Sequence, residues 1–306
     1  MALTVVLVTV AVLLIVSALS LVLHATALGR NLVYGASLAV ACVGFVAGLS
    51  ALIGQAPAET LTLPLGLPWI GAHFRLDALS AFFLVVVDIG VGAASFYALG
   101  FGRHESAPQR VLPFYPLFLA GMTLVVIADD AFTFLFSWAF MSPSSSALVM
   151  AHDHVRENLR AGYVYLVMAN FGTLALLLAF GLLAGPDGAF AFDAIRNSQH
   201  APKLVALILI LVLIGTGSKA GLVPLHAWLP LAHPAAPSHV SGLLSGIMTK
   251  VAVYAFVRIV FDLLGDPAWW WSMLVLALAG ITCVMGVLYA LMQHDLKRLL
   301  AYHTVE

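Results

Sequence analysis

Charge is what this 306-residue sequence has least of. Only 9% of its residues are Asp, Glu, Lys or Arg, against about 25% in a soluble domain. An ordinary water-soluble globular protein is thereby excluded. The net charge of −1 and the lack of a basic tract leave nucleic acid nothing to bind. Cysteine is almost missing too. Cys42 and Cys283 each sit inside an apolar run, too few for an iron–sulfur cluster or a disulfide framework. Both are expected to be buried apolar fillers. His226, His233 and His239 lack the tight spacing and the adjacent acid or thiol that a zinc site wants. No glycine-flanked serine motif accompanies "SPSSSA" and the nearby His152 and His154, so an intramembrane serine enzyme has no support.

What fills the chain is hydrophobic sequence: 62% of residues, with a mean hydropathy of +1.06. Apolar stretches of about 17–25 residues, each able to cross a bilayer, recur at 2–23, 34–54, 77–101, 112–128, 131–151, 161–184, 203–229, 239–264 and 269–292. They predict an all-α polytopic membrane protein of about nine transmembrane helices. The first stretch lacks a basic n-region and is longer than a signal-peptide core, so it is read as a retained span. Between spans, 55–76 suits a short β-hairpin on the membrane surface, and 186–202 a turn with a short amphipathic helix. Asp129 and Asp130 read as a tight surface turn between the fourth and fifth spans.

Basic residues outside the spans suggest an orientation. Arg30, Arg103, Arg110, Arg156, Arg160, Lys297 and Arg298 fall on one side; Arg75, Arg196 and Lys203 fall on the other. An outside N-terminus and a cytoplasmic C-terminus in a plasma membrane are therefore expected.

The chemistry concentrates in "GTGSKAGLVPLHAWLPLAHPAAPSHVSGLLSGIMTK", residues 215–250. Gly221 and Pro224 are expected to break helix seven, since proline removes a backbone hydrogen bond and clashes with the carbonyl four residues back. Backbone freed at membrane depth survives only inside protein or beside water, and such breaks commonly build ion sites. Lys219 stands just before the break. Lys250 lies about 11 residues into helix eight, near mid-membrane at 1.5 Å per residue. Ionisable residues there are functional candidates by default, proton relays among them. Gly242 and Gly246 would let another helix approach. His226 and His239 are candidates for relaying a proton beside the lysines, and structural hydrogen bonding is the alternative role.

That block resembles the signature of antiporter-like membrane subunits of respiratory complex I. Within the superfamily it is most similar to hydrogenase-4 and formate hydrogenlyase component B. "FRLDALSAFF", "LFLAGMTLVVIADDAFTFLFSW" and "LMQHDLKRLLAYHTVE" carry the likeness further along the chain. The resemblance implies inverted five-helix repeats, each with a broken helix, joined by an axis of buried lysines, histidines and glutamates. By position, Lys219 matches the broken-helix lysine and Lys250 the next lysine of the axis. A single membrane domain is implied: helices one to three over about 1–111, a first repeat over about 112–264, and the start of a second over about 265–306. A chain of this length is expected to work as a split form or beside another that supplies the rest.

The family places a glutamate after the helix-five tryptophan, paired with the broken-helix lysine. Here Trp138 is followed by Ala139, and Pro143 also falls in the span and is expected to kink it. Asp88, Asp129 and Asp130 are the conceivable substitutes. The resemblance implies a subunit of a redox-driven proton-translocating complex. Nickel–iron and iron–sulfur centres would lie in peripheral partner subunits, none in this chain, which has no catalytic centre of its own. A non-pumping scaffold and a subunit of a multi-subunit cation/proton antiporter are the alternatives.

Overall fold

The computed structural model describes residues 1–54, 57–66, 71–152, 155–186, 188–265 and 267–306. His154, and residues 55–56 and 67–70 of the expected hairpin stretch, lie outside them. The helices are α1 (Ala2–Leu23), α2 (Ala27–Ile53), α3 (Ala78–Phe101), α4 (Phe114–Ile127), α5 (Ala131–Val149) and α6 (Arg156–Ala184). Then come α7a (Pro202–Ala220), α7b (Leu229–Ala235), α8 (Ser238–Leu263), α9 (Trp269–Leu291) and α10 (Leu296–Val305). A hairpin of β1 (Glu59–Leu63) and β2 (Ala72–Leu76) joins α2 to α3, with Leu61 opposite Phe74. A short helix, Phe192–Arg196, precedes α7a.

Among the described residues, eight helical stretches are long and apolar enough to cross a membrane, against the nine expected. The exception is α5, whose Ser137, Ser142, Ser144, Ser145 and Ser146 lower its hydropathy. These serines are buried, and their hydroxyls mostly bond back to carbonyls one turn earlier. The helix runs unbroken through Pro143.

Polar side chains fix where helices begin. Asp77 accepts from Ser80 N at the start of α3, and Asp130 from Thr133 N at the start of α5. The span containing α4 is 78% buried and α9 only 17%, so α4 is central and α9 peripheral. Cys42 and Cys283, expected inside, are exposed. Helical periodicity puts each on the outward face of an apolar helix, a distinction that composition does not carry.

Asp129 and Asp130 also depart from expectation, since both are buried rather than at the surface. The hairpin and the 190–192 segment close over them. Asp129 N donates to His73 O, Phe192 N to Asp129 O, and His73 N to the Asp130 carboxylate. Backbone partners here take the place of water.

An ionic cluster fastens this end of the bundle. Arg258 is 3% exposed. It grips Asp77 through both terminal nitrogens at 2.7 Å each and reaches Asp262 at 3.0 Å. Arg196 forks onto Asp262 with two 2.8 Å bonds and also pairs with Asp193 and, at 3.6 Å, with Asp129. Burial pushes Asp129 up to about 6, against the pull of Arg75 and Arg196. Arg196 commits its short bonds to Asp262 and Asp193, so its hold on Asp129 is weak.

Candidate functional site: a buried lysine at an interrupted helix

α7a stops at Ala220. Gly221 takes the left-handed conformation (φ 87°), open to glycine without steric penalty. Its N–H and that of Leu222 both bond Gly217 O, which satisfies one of the carbonyls a helix end leaves unpaired. The Trp228 indole donates to another, Ser218 O, at 2.7 Å. Val223 N–H, freed by the break, donates to Thr282 Oγ1 of α9 at 3.2 Å. The chain resumes as a 3-10 turn, Leu225–Trp228, and then α7b. Each of these backbone groups has a protein partner, as membrane depth requires.

Lys219 is 1% exposed. Its Nζ donates to Trp138 O of α5 at 3.0 Å and stands 4.7 Å from the centre of the Trp138 ring, where a protonated amine gains cation–π attraction. The residue covalently next to that carbonyl is Ala139. The structure thus sets the lysine beside the position where the resemblance implies a glutamate. Among the described residues no carboxylate pairs with Lys219. Asp88, midway along α3, packs its carboxylate against Gly44 of α2, and Asp129 and Asp130 belong to the ionic end. α6 and α7a approach closely behind the lysine. A Cβ on Gly172 would lie 2.9 Å from Gly215 O.

Lys250 is a correction. Expected in a buried axis, it is exposed on the flank of α8, its Nζ bonding Ser245 O at 3.3 Å and Thr249 Oγ1 at 3.4 Å. Gly242 and Gly246, two turns and one turn earlier on the same face, have nothing within 4 Å of an added Cβ. Among the described residues, no helix of this chain covers that stripe. Sequence spacing gave depth along α8, but not which face the bundle would leave open.

The histidines separate. His226 is half-buried near α9 and α10, its ring 6.5 Å from those of Tyr289 and Tyr302. His233 Nδ1 and Ser241 Oγ are 2.8 Å apart. His239 is 2% exposed, enclosed by Tyr34, Tyr115 and Phe101, with Nε2 3.3 Å from the Tyr34 hydroxyl. Neither His226 nor His239 hydrogen-bonds Lys219.

Two residues that sequence reasoning passed over join this region. Ser145 Oγ and Tyr165 OH share a 2.6 Å hydrogen bond, and Tyr165 OH lies 3.5 Å from Met248 Sδ, two residues before Lys250. The only signal for them was a run of hydroxyls inside an apolar span. Among the described residues, no group of three or more His, Cys, Asp or Glu is placed to hold a metal ion.

Residues 128–306 match the transmembrane family of NADH:quinone oxidoreductase and Mrp antiporter subunits. Hydrogenase-4 component B of Escherichia coli (strain K12) is 39% identical over 236 residues, 76% of this chain and 35% of that protein. Formate hydrogenlyase subunit 3 of the same organism is 29% identical over 273 residues, 86% of this chain and 43% of that one. The chain thus spans well under half the length of these relatives. Among solved structures, the archaeal membrane-bound sulfane sulfur reductase holds a chain that superposes with a TM-score of 0.83 at 23% identity, covering 98% of this chain and 62% of its own. A chain of the Mrp complex from Dietzia sp. DQ12-45-1b gives 0.81 at 24%, covering 98% and 33%. These last two likenesses concern the fold. The family match over residues 128–306, supported by these sequence relatives, makes this chain a member of the complex I-like antiporter family of membrane subunits.

Proposed function

We propose that this chain is a membrane subunit of a hydrogenase-4- or formate-hydrogenlyase-like complex in a bacterial plasma membrane, contributing a proton path through its lysines. Redox chemistry belongs to peripheral partners carrying nickel–iron and iron–sulfur centres. The observation that carries the reading is Lys219, sealed at the helix interruption with Nζ on the Trp138 carbonyl. A buried lysine at such a place is costly unless used. The open stripe of Gly242, Gly246 and Lys250 leaves room for a further helix to complete the axis.

One observation favours a second reading. Ala139 stands beside the amine with no acid to switch it, which suits a scaffold that no longer pumps. A cation/proton antiporter role draws on a relative from Rhizobium meliloti (strain 1021), a probable K(+)/H(+) antiporter component 31% identical over 246 residues. The lone mid-span carboxylate, Asp88, is a poor start for a metal-cation site.

The test is acid-quench fluorescence in inverted vesicles holding the assembled complex, driven by its electron donor at matched assembly and redox rate. Lys219→Met and Lys250→Met should each reduce the proton signal. If they leave it unchanged while Ala139→Glu creates a lysine-dependent signal, the chain is a scaffold on a silenced pump.

A further inference from the structure

At the end of the bundle opposite the Asp77–Arg258 cluster, four turns meet around a cavity of about 300 Å³ lined by both polar and apolar side chains. The residue after the 3-10 turn Gly102–His104 is Glu105, whose side chain is only 4% exposed. Its Oε1 accepts from Ala107 N at 3.1 Å and lies 2.8 Å from His152 Nε2. His104, Ser106, Asn158, Ser238 and Lys297 complete the polar lining, and Lys297 donates to Ala236 O at 3.0 Å. A cavity of this size has room for several waters, with these polar groups as their partners.

His239 lies just behind the cavity wall. Ser238 lines the cavity and His239 follows as the next residue, at the first turn of α8. Phe101, also in the wall, lies 5.9 Å from the His239 ring, and Glu105 is near enough to act electrostatically on both His239 and Tyr34. His239 Nδ1 is buried without a hydrogen-bond partner among the described residues, while Nε2 meets Tyr34 OH. Tyr115 stands edge-on to Tyr34, 5.3 Å away, and its hydroxyl bonds Ser95 Oγ at 2.9 Å. Further along α8, Ser241 Oγ meets His233 Nδ1, and Thr249 Oγ1 accepts from Lys250 Nζ at 3.4 Å. Among the described residues, the charged and titratable groups facing this route are Glu105, His104, His152 and Lys297 at the cavity, and Arg30 beside Tyr34.

We propose that this cavity is the cytoplasmic water inlet of the path, with the Glu105–His152 pair collecting protons and His239 as the first buried acceptor. This rests on the proton-path reading above. A proton from bulk water joins the pair and crosses the cavity water to His239 Nδ1. The ring then holds the charge as an imidazolium, its Nε2–H donating to the Tyr34 hydroxyl. The inlet is lined by the end of α3 and the turn after it, by His152, Val155 and Asn158, and by the end of α7b with its link to α8.

Two measurements on the full chain in its complex separate this inference from its premise. With Cys42 and Cys283 replaced by serine, Ser238→Cys should react with a membrane-impermeant maleimide from the cytoplasmic face only. No reaction, or reaction from the opposite face alone, overturns the inlet and leaves the lysine path standing. In the vesicle assay, Glu105→Gln should slow lysine-dependent proton uptake at least tenfold at matched assembly. Glu105→Asp should restore most of it, and the Ser238→Cys labelling should stay unchanged. An unaltered rate in Glu105→Gln overturns the collecting role. A wild-type complex with no lysine-dependent signal overturns premise and inference together.

Discussion

Removing Asp77 should strand a buried cation. Arg258 is 3% exposed and holds Asp77 by two 2.7 Å bonds, with Asp262 as its remaining acid at 3.0 Å. Breaking one partner of a buried ion pair costs about 3–5 kcal/mol, because the other charge is left uncompensated. Asp262 persists, so the lower figure is expected, about 3 kcal/mol. At roughly 2 °C per kcal/mol for a chain of this size, the midpoint should fall by about 6 °C in a heating assay on detergent-purified full chain. Asp77 also caps α3, worth about 1 kcal/mol, so Asp77→Ser, which keeps a capping hydroxyl, is the informative variant. Adding Arg258→Met to it removes the stranded charge and should recover much of the loss. The acid limb follows with its sign. Burial alone would raise Asp77, but the Arg258 guanidinium outweighs it and holds the carboxyl below the usual range. A depressed carboxylate contributes stability above its unfolded value, about 4, and that contribution fades as pH falls below it. Wild type should lose stability there, and Asp77→Ser should lose less. If Asp77→Ser melts within about 1 °C of wild type at neutral pH, the pair is not a clamp and the reasoning is wrong.

Asp129, pushed up to about 6 by burial, has the opposite sign. Its contribution is full below about pH 4 and is lost as pH rises through 6. Asp129→Asn should therefore raise the melting midpoint at pH 8 and change it little at pH 4.5; equal shifts at both would refute this. Gly44 makes room for Asp88, since an added Cβ would collide with Asp88 Oδ2. Gly44→Ala should thus destabilise by about 1–3 kcal/mol. Asp88→Ala should remove most of that penalty, whereas purely additive melting shifts would show that the two do not touch.

Composition and local motifs were enough to set the class of this protein. Nine apolar stretches and few charges dictate helices in a bilayer, because each buried backbone polar group must be satisfied within its own segment. Gly221 and Pro224 announced the interruption at Lys219, since both act through local backbone geometry. The alternating stretch around 55–76 likewise announced the hairpin. The rest came from packing, because burial and neighbours depend on which faces meet across the chain. Lys219 and Lys250 look alike in sequence, yet one is sealed against Trp138 and the other lies on an open flank. Asp129 and Asp130 read as a surface turn, and were buried by a hairpin and a loop distant along the chain. Cys42 and Cys283 read as buried and proved exposed, since an apolar residue in a membrane helix is equally at home facing lipid or core. The meeting of Glu105 with His152, and of Tyr34 with His239, spans 47 and 205 residues. No local periodicity reports on contacts of that range; only the packing of the whole bundle creates them.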